Sequence, residues 1–226
     1  MVRTIPSLHR AITHCSACPR LVEWRERVAA ERTKRFAEET YWGRPVPGFG
    51  DPKARLLLVG LAPAAHGANR TGRMFTGDES GRWLYRALHK AGLASAPVSH
   101  SRKDGMELKD CYITAACRCA PPQNKPLPEE LQACRPFLLQ ELTLLTEVRI
   151  VIGLGKIGFD TAFDAVRSLG WTALRSRPRF SHGAVHPLSD RITLLGTYHP
   201  SQQNTFTGTL TEPMFDAVFR TALRLL

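Results

Sequence analysis

What this 226-residue chain lacks narrows its possible functions first. No apolar run reaches the ~18 residues of a membrane-crossing helix. Met1 to Thr13 holds no uninterrupted apolar segment of the signal-peptide kind, so the cytoplasm is the expected compartment. Internal repeats and low-complexity tracts are missing, which argues against solenoids and linkers and for one domain over residues 1–226. There is no G-x-x-x-x-G-K-[ST] pattern, so P-loop chemistry is set aside. Acidic residues are scarce: 20 Asp and Glu face 31 Lys and Arg, a net charge of +11. The surplus is mostly arginine, whose planar fork suits phosphate oxygens, and it points to a nucleic-acid partner.

What is present alternates between strand and helix. Apolar runs at 54–61, 111–119, 148–152 and 192–197 read as strands. Between and after them, helical spacing marks 80–92, 129–147, 156–169 and a last helix capped by Thr211 with Pro213 in its first turn. The pattern predicts an α/β fold: a single-domain α/β/α sandwich around a central parallel four-stranded sheet. Gly153-Leu154-Gly155-Lys156-Ile157-Gly158 matches the dinucleotide fingerprint G-x-G-x-x-G. The acidic partner expected about 20 residues later is missing, since residues 175–180 are basic. A tight turn that lets helix and strand pack closely is the simpler reading. The rival is an iron–sulfur oxidoreductase that uses this turn for a dinucleotide.

Six cysteines in a cytoplasmic chain suggest metal ligation plus buried thiols, because structural disulfides are rare there. Cys15 and Cys18 have the two-residue gap of a metal knuckle, and Cys119 and Cys134 could complete a set of four. Such a set can hold zinc or an iron–sulfur cluster, while the C-x-x-C alone could equally be a redox pair. Cys111 and Cys117 share one face of their predicted strand and read as core.

A long loop after the first strand carries G-L-A-P-A-A-H-G-A-N-R-T-G-R-M-F-T-G-D from Gly60 to Asp78. A glycine-rich connection of this length between strand and helix is of the functional kind. A second motif is Tyr112-Ile113-Thr114-Ala115-Ala116-Cys117-Arg118-Cys119-Ala120-Pro121-Pro122, followed by Glu130 and Cys134-Arg135-Pro136. A third is Tyr198-His199-Pro200-Ser201.

Together these motifs resemble the uracil-DNA glycosylases, most closely the family-5 (type B) branch, over nearly the whole chain. The second motif is similar to the iron–sulfur glycosylases of family 4, whose matching cysteines hold a [4Fe–4S] cluster. The resemblance implies such a structural cluster on Cys15, Cys18, Cys119 and Cys134, with zinc as the alternative occupant. It implies a monomer that excises uracil from double-stranded DNA, with single-stranded DNA as a further substrate, and without a membrane. Gly60, Ala62, Phe75, Ala115, Asn124, Ser201 and Gln203 would contact substrate, and Asp78 and His199 would carry the chemistry.

The departures from the family are specific. Leu61 and Ala62 stand near the positions where related families place an acidic residue that activates or positions water. Ala115 replaces an Asn that reads the uracil edge, and Gln203 replaces the usual wedge residue. Asp78 is therefore expected to take over the water, with His66 and Asn69 in reserve; its other reading is a helix N-cap. His199 would donate to the departing base and Phe75 would stack on it. Without the Asn, tolerance for hypoxanthine or xanthine is expected. Arginines of the central loop and of residues 175–179 would grip phosphates. A zinc-braced binding module without activity is the remaining alternative.

Overall fold

A computed structural model describes residues 3–226. In chain order the elements are α1 (Ile5–Thr13), α2 (Pro19–Glu31), β1 (Phe49–Gly50), β2 (Leu56–Gly60), α3 (Ala68–Thr71) and α4 (Glu79–Lys90). There follow β3 (Cys111–Ala115), α5 (Pro128–Leu144), β4 (Ile150–Leu154) and α6 (Gly155–Ser168). The chain then forms β5 (Val185–Pro187), β6 (Thr193–Thr197), α7 (Gln202–Phe206) and α8 (Glu212–Arg224). The sheet order is β1-β3-β2-β4-β6-β5. The four strands anticipated from the sequence form its parallel centre. The sheet is nevertheless six-stranded, because β1 and β5 add antiparallel edges. These edges are two and three residues long, too short to produce a period in the sequence.

Uninterrupted apolar runs make the central strands because both sheet faces are covered. Leu56 and Leu58 pack with Leu84 and Leu88 of α4 and Phe215 and Phe219 of α8. Their neighbours Leu57 and Val59 face Leu138 and Leu142 of α5 and Phe159 and Phe163 of α6. Each such side chain fully buried contributes about 1.5–3 kcal/mol. Helix α1 was not legible as an element. It starts at a reciprocal Thr4–Ser7 capping box, buries Leu8 and Ile12, and places His9 Nε2 2.7 Å from the Tyr112 hydroxyl.

The G-x-G-x-x-G turn serves packing, as read from the sequence. A Cβ on Gly153 would collide with the Phe159 backbone, and one on Gly158 with the Val59 carbonyl. These two glycines let α6 lie directly on β4 and β2. Gly155, at φ +83°, makes the turn and brings the chain against His199.

Strand β3 ends at Ala115, four residues before the sequence pattern suggested. Backbone bonds from Ala116 to Gly60 and from Cys117 to Leu61 carry the pairing a little further. Cys117 is buried as expected, but among the other cysteines; Cys111 lies in the sheet core.

A buried ion pair closes this end of the sheet. Arg118 and Glu141 are 1% and 0% exposed and meet in a two-pronged contact at 3.0 and 2.5 Å. Thr114 Oγ1 donates to the same carboxylate at 2.6 Å. Removing one partner leaves the other charge dehydrated and uncompensated, so Glu141→Ala should destabilise the fold by about 3–5 kcal/mol in denaturant titration. A loss under about 1 kcal/mol would show the pair to be dispensable.

Candidate active site

Strand β2 sits in the middle of the sheet, with β3 on one side and β4 on the other. Connections leaving the carboxyl ends of such strands diverge and open a crevice between them. Here the crevice is a cleft of about 570 Å³. Its walls come from three connections: the loop after β2, the Pro-Pro turn after β3, and the segment after β6.

The loop after β2 is held from behind. Arg70 is buried and bonds to the Gly77 carbonyl, the His66 carbonyl and Glu39. Arg73 is buried too, against Asp104, the Arg102 carbonyl and Ser99. The central-loop arginines therefore turn inward and brace the loop; they are not free to grip phosphates as the sequence suggested. Of residues 175–179, Arg177 pairs with Asp160 and Asp164, while Arg175 and Arg179 are exposed.

So braced, the loop presents Ala62, Phe75 and Asp78 to the cleft. Phe75 has φ +53°, a left-handed conformation that a bulky residue rarely adopts. Its ring covers Gly60, where a Cβ would lie 2.9 Å from it, and its centroid is 5.9 Å from that of His199. Gly60 and Ala115 are register partners on β2 and β3. Gly60 lies under the Phe75 ring, Ala115 is buried beside it in the sheet, and neither lines the cleft.

Asp78 is the N-cap of α4, accepting the Gly81 N–H on Oδ1 at 2.8 Å. Oδ2 lies over Gly67, where any Cβ would strike it. Burial pushes the Asp78 carboxyl above its ordinary pKa, against the opposing pull of the Gly81 N–H and the Arg70 charge. The neighbouring Glu79 is engaged by Arg82 and by the Trp83 indole N–H, which hold its pKa down. The cap reading and the catalytic reading of Asp78 are thus compatible: one oxygen caps, the other faces the loop.

The third wall carries His199, Ser201 and Gln203. Burial lowers the His199 pKa to about 4, so its imidazole is neutral at pH 7 and offers one N–H. Its main-chain carbonyl accepts the Asn204 side-chain amide at 2.9 Å. Ser201 is the N-cap of α7. The second wall carries Asn124 and Gln123, at φ +57° and +54°. Among the described residues, three of the five non-glycine residues at positive φ line this cleft, the kind of backbone strain that clusters at functional sites. Sequence reasoning named Asn124 and missed Gln123; the Pro121-Pro122-Gln123-Asn124 turn was the available signal.

The reserve residues lie elsewhere. His66 Nδ1 is 3.0 Å from the Tyr41 hydroxyl, and Asn69 is fully buried, donating to the Arg25 carbonyl. Neither lines the cleft.

Behind Ala62 lies the cysteine nest. Cys15, Cys18, Cys119 and Cys134 all line one small cavity, and Ala62 packs on the cluster formed by Leu21, Cys117, Cys119 and Cys134. Arg25 Nη1 donates to Cys119 Sγ at 3.0 Å, and the Arg118 backbone N–H reaches Cys134 Sγ at 3.4 Å. The Cys117 thiol donates to the Cys119 carbonyl at 3.4 Å. Among the described residues no three His, Cys, Asp or Glu side chains are gathered closely enough to hold a single metal ion. The donor set still suits a larger anionic group. The Nε atoms of Arg25 and Arg118, both residues lining the cavity, are buried donors without a partner.

Comparison with known proteins agrees with this geometry. The model of the uracil DNA glycosylase superfamily matches residues 47–223. A type-5 uracil-DNA glycosylase of Mycobacterium leprae is 53% identical over 98% of this chain and 96% of its own. One from Thermus thermophilus is 54% identical over 96% and 95%. A type-4 uracil-DNA glycosylase of Pyrobaculum aerophilum is 32% identical over 87% and 83%. A match over most of the length, from sheet to cleft, means that this chain belongs to the uracil-DNA glycosylase superfamily.

Proposed function

We propose that the cleft receives a base flipped out of DNA and that the chain hydrolyses its N-glycosidic bond, releasing uracil and other deaminated bases. The observation that carries this is the meeting of Asp78, Phe75 and a neutral His199 in one cleft at the strand ends. A glycosidic bond inside the stack is out of reach, so the nucleotide has to leave it. Phe75 offers its ring to the base. As the bond breaks, charge develops negatively on the base and positively on the sugar. The neutral His199 N–H stabilises the first by hydrogen bonding. The Asp78 carboxylate faces the second and orients the water whose oxygen joins the sugar carbon. Among the described residues, no helix is long and apolar enough to cross a membrane.

Tolerance beyond uracil is supported by the cleft volume and by its walls. At about 570 Å³ it has room for a purine, and the position of the missing Asn, Ala115, is buried and does not line it. The test is a panel of duplexes carrying uracil, hypoxanthine or xanthine, treated with alkali to cut at abasic sites. Cleavage at all three is expected; cleavage at uracil alone removes the broad reading, and none removes the function.

The four cysteines would hold a [4Fe–4S] cluster, a group that fits thiolates plus the unpartnered arginine donors. When bound it would brace the Ala62 turn and the Pro-Pro turn from behind, with no part in hydrolysis. Metal analysis should find about four iron atoms per chain, lost in Cys134→Ala together with visible absorbance. About one zinc and no iron would exclude the cluster.

Asp78→Asn separates the two roles of that residue. Asparagine caps helices as well as aspartate, so thermal stability should hold within about 0.5 kcal/mol, whereas Asp78→Ala should lose about 1 kcal/mol. Both should lower single-turnover excision by about a hundredfold or more, the usual scale for positioned proton and charge chemistry. Near-full activity in the asparagine variant would end the assignment. In the wild type, excision should fall at acid pH as Asp78, whose pKa is raised, takes up its proton. No limb should appear at 6.5, the ordinary histidine value, because His199 stays neutral down to about 4.

A further inference from the structure

Among the described residues four arginines are buried: Arg25, Arg70, Arg73 and Arg118. Three of them are matched to a carboxylate, Arg70 to Glu39, Arg73 to Asp104 and Arg118 to Glu141. Arg25 is 5% exposed, yet the carboxylate it reaches is that of Glu26 at 3.5 Å, on a side chain 61% exposed. A dehydrated charge without a matched partner is strongly unfavourable. The balancing group for Arg25 has to come from elsewhere.

The Arg25 guanidinium lies in the cysteine nest. Its Nη1 donates to Cys119 Sγ at 3.0 Å and to the Cys15 carbonyl at 3.3 Å. Its Nε is buried without a partner, and the residue lines the same small cavity as Cys15, Cys18, Cys119 and Cys134. The backbone beneath it is fixed. Leu21, Arg25 and Val28 form the buried face of α2 at helical spacing. The Arg25 carbonyl accepts the side-chain amide of the fully buried Asn69 at 3.2 Å. Arg118 also lines the cavity, but its two Nη atoms are taken by Glu141, so its charge is already balanced.

Resting on the cluster proposed above, we propose that Arg25 is its charge partner and raises its reduction potential. A [4Fe–4S] core on four thiolates carries net negative charge, and its potential follows the hydrogen bonds to the sulfurs, the nearby charge and the burial. A buried cation one hydrogen bond from Cys119 Sγ favours the more electron-rich state. Removal of an electron by an oxidant, which precedes loss of iron, becomes harder for the same reason. The segment that supplies Cys15 and Cys18 thus leads into the helix that supplies the charge to balance them.

The test uses the full-length, cluster-loaded protein and three variants. Arg25→Lys keeps the charge, Arg25→Gln keeps a donor, and Arg25→Met keeps neither. Protein-film voltammetry reads the potential, iron analysis reads occupancy, and visible absorbance follows bleaching by ferricyanide, a one-electron oxidant. In Arg25→Met the ratio of reduced to oxidised cluster at a fixed potential should fall about tenfold, the lower end for residues that hydrogen-bond a metal's ligands. For one electron that is a shift of about 59 mV downward. Bleaching should be about tenfold faster. Arg25→Lys should return close to the wild-type potential, with Arg25→Gln between. A purely structural role would lower the iron content and leave the potential of the remaining cluster in place, and that result overturns the proposal. If Arg25→Met assembles no cluster, the other two variants decide, and equal potentials in them overturn it. Wild-type protein without iron removes the cluster reading and the role of Arg25 with it. Iron in the wild type with an unmoved potential in the variants removes Arg25 alone.

Discussion

The buried pair of Arg118 and Glu141 is the constraint on which the working end of the molecule depends. Its carboxylate is reached by Thr114 from the last turn of β3, and Arg118 passes its own backbone N–H to Cys134 on α5. The Arg118 carbonyl accepts the Val46 N–H, which ties in the segment ahead of β1. Sheet, helix and cysteine nest are thereby registered on one dehydrated ion pair. Such a pair contributes little net stability over an apolar equivalent, but it tolerates no loss of a partner and admits few alternative arrangements.

That registration reaches the cleft through short steps. The chain from β3 to the cysteines runs alongside the start of the loop after β2, with backbone bonds from Ala116 and Cys117 to Gly60 and Leu61. Ala62 then packs on the cysteines while also lining the cleft. An apolar residue at this position serves the nest behind it, and the loop supplies its carboxylate at the far end, from Asp78. Two buried arginines, Arg70 and Arg73, keep that far end in place. Positive charge that composition alone assigns to DNA is spent here inside the protein, where it neutralises Glu39 and Asp104 and satisfies loop carbonyls.

Much of the architecture was legible because it depends on period and punctuation. Four apolar runs separated by helical patterns fix a parallel sheet covered on both faces, whatever the details of packing. The three loops of the site were legible for a related reason: glycines, paired prolines and a His-Pro turn interrupt those periods where function needs irregular backbone. Asp78, His199, Phe75, Asn124 and Gln203 could all be named before their meeting place was known. Edge strands β1 and β5 could not, since two or three residues carry no period, and the capping box of α1 offered only Thr4 and Ser7 as a cue.

By itself, then, the sequence determined the fold class, the family motifs and the residue types available for catalysis, since these follow from local order along the chain. Tertiary structure decided which arginines face inward, which face of Asp78 is free, and that Gly60 and Ala115 support the cleft without lining it. The physical reason is common to all of these. Burial, desolvation and ion pairing are set by groups distant in the chain, and no window of local sequence contains both partners.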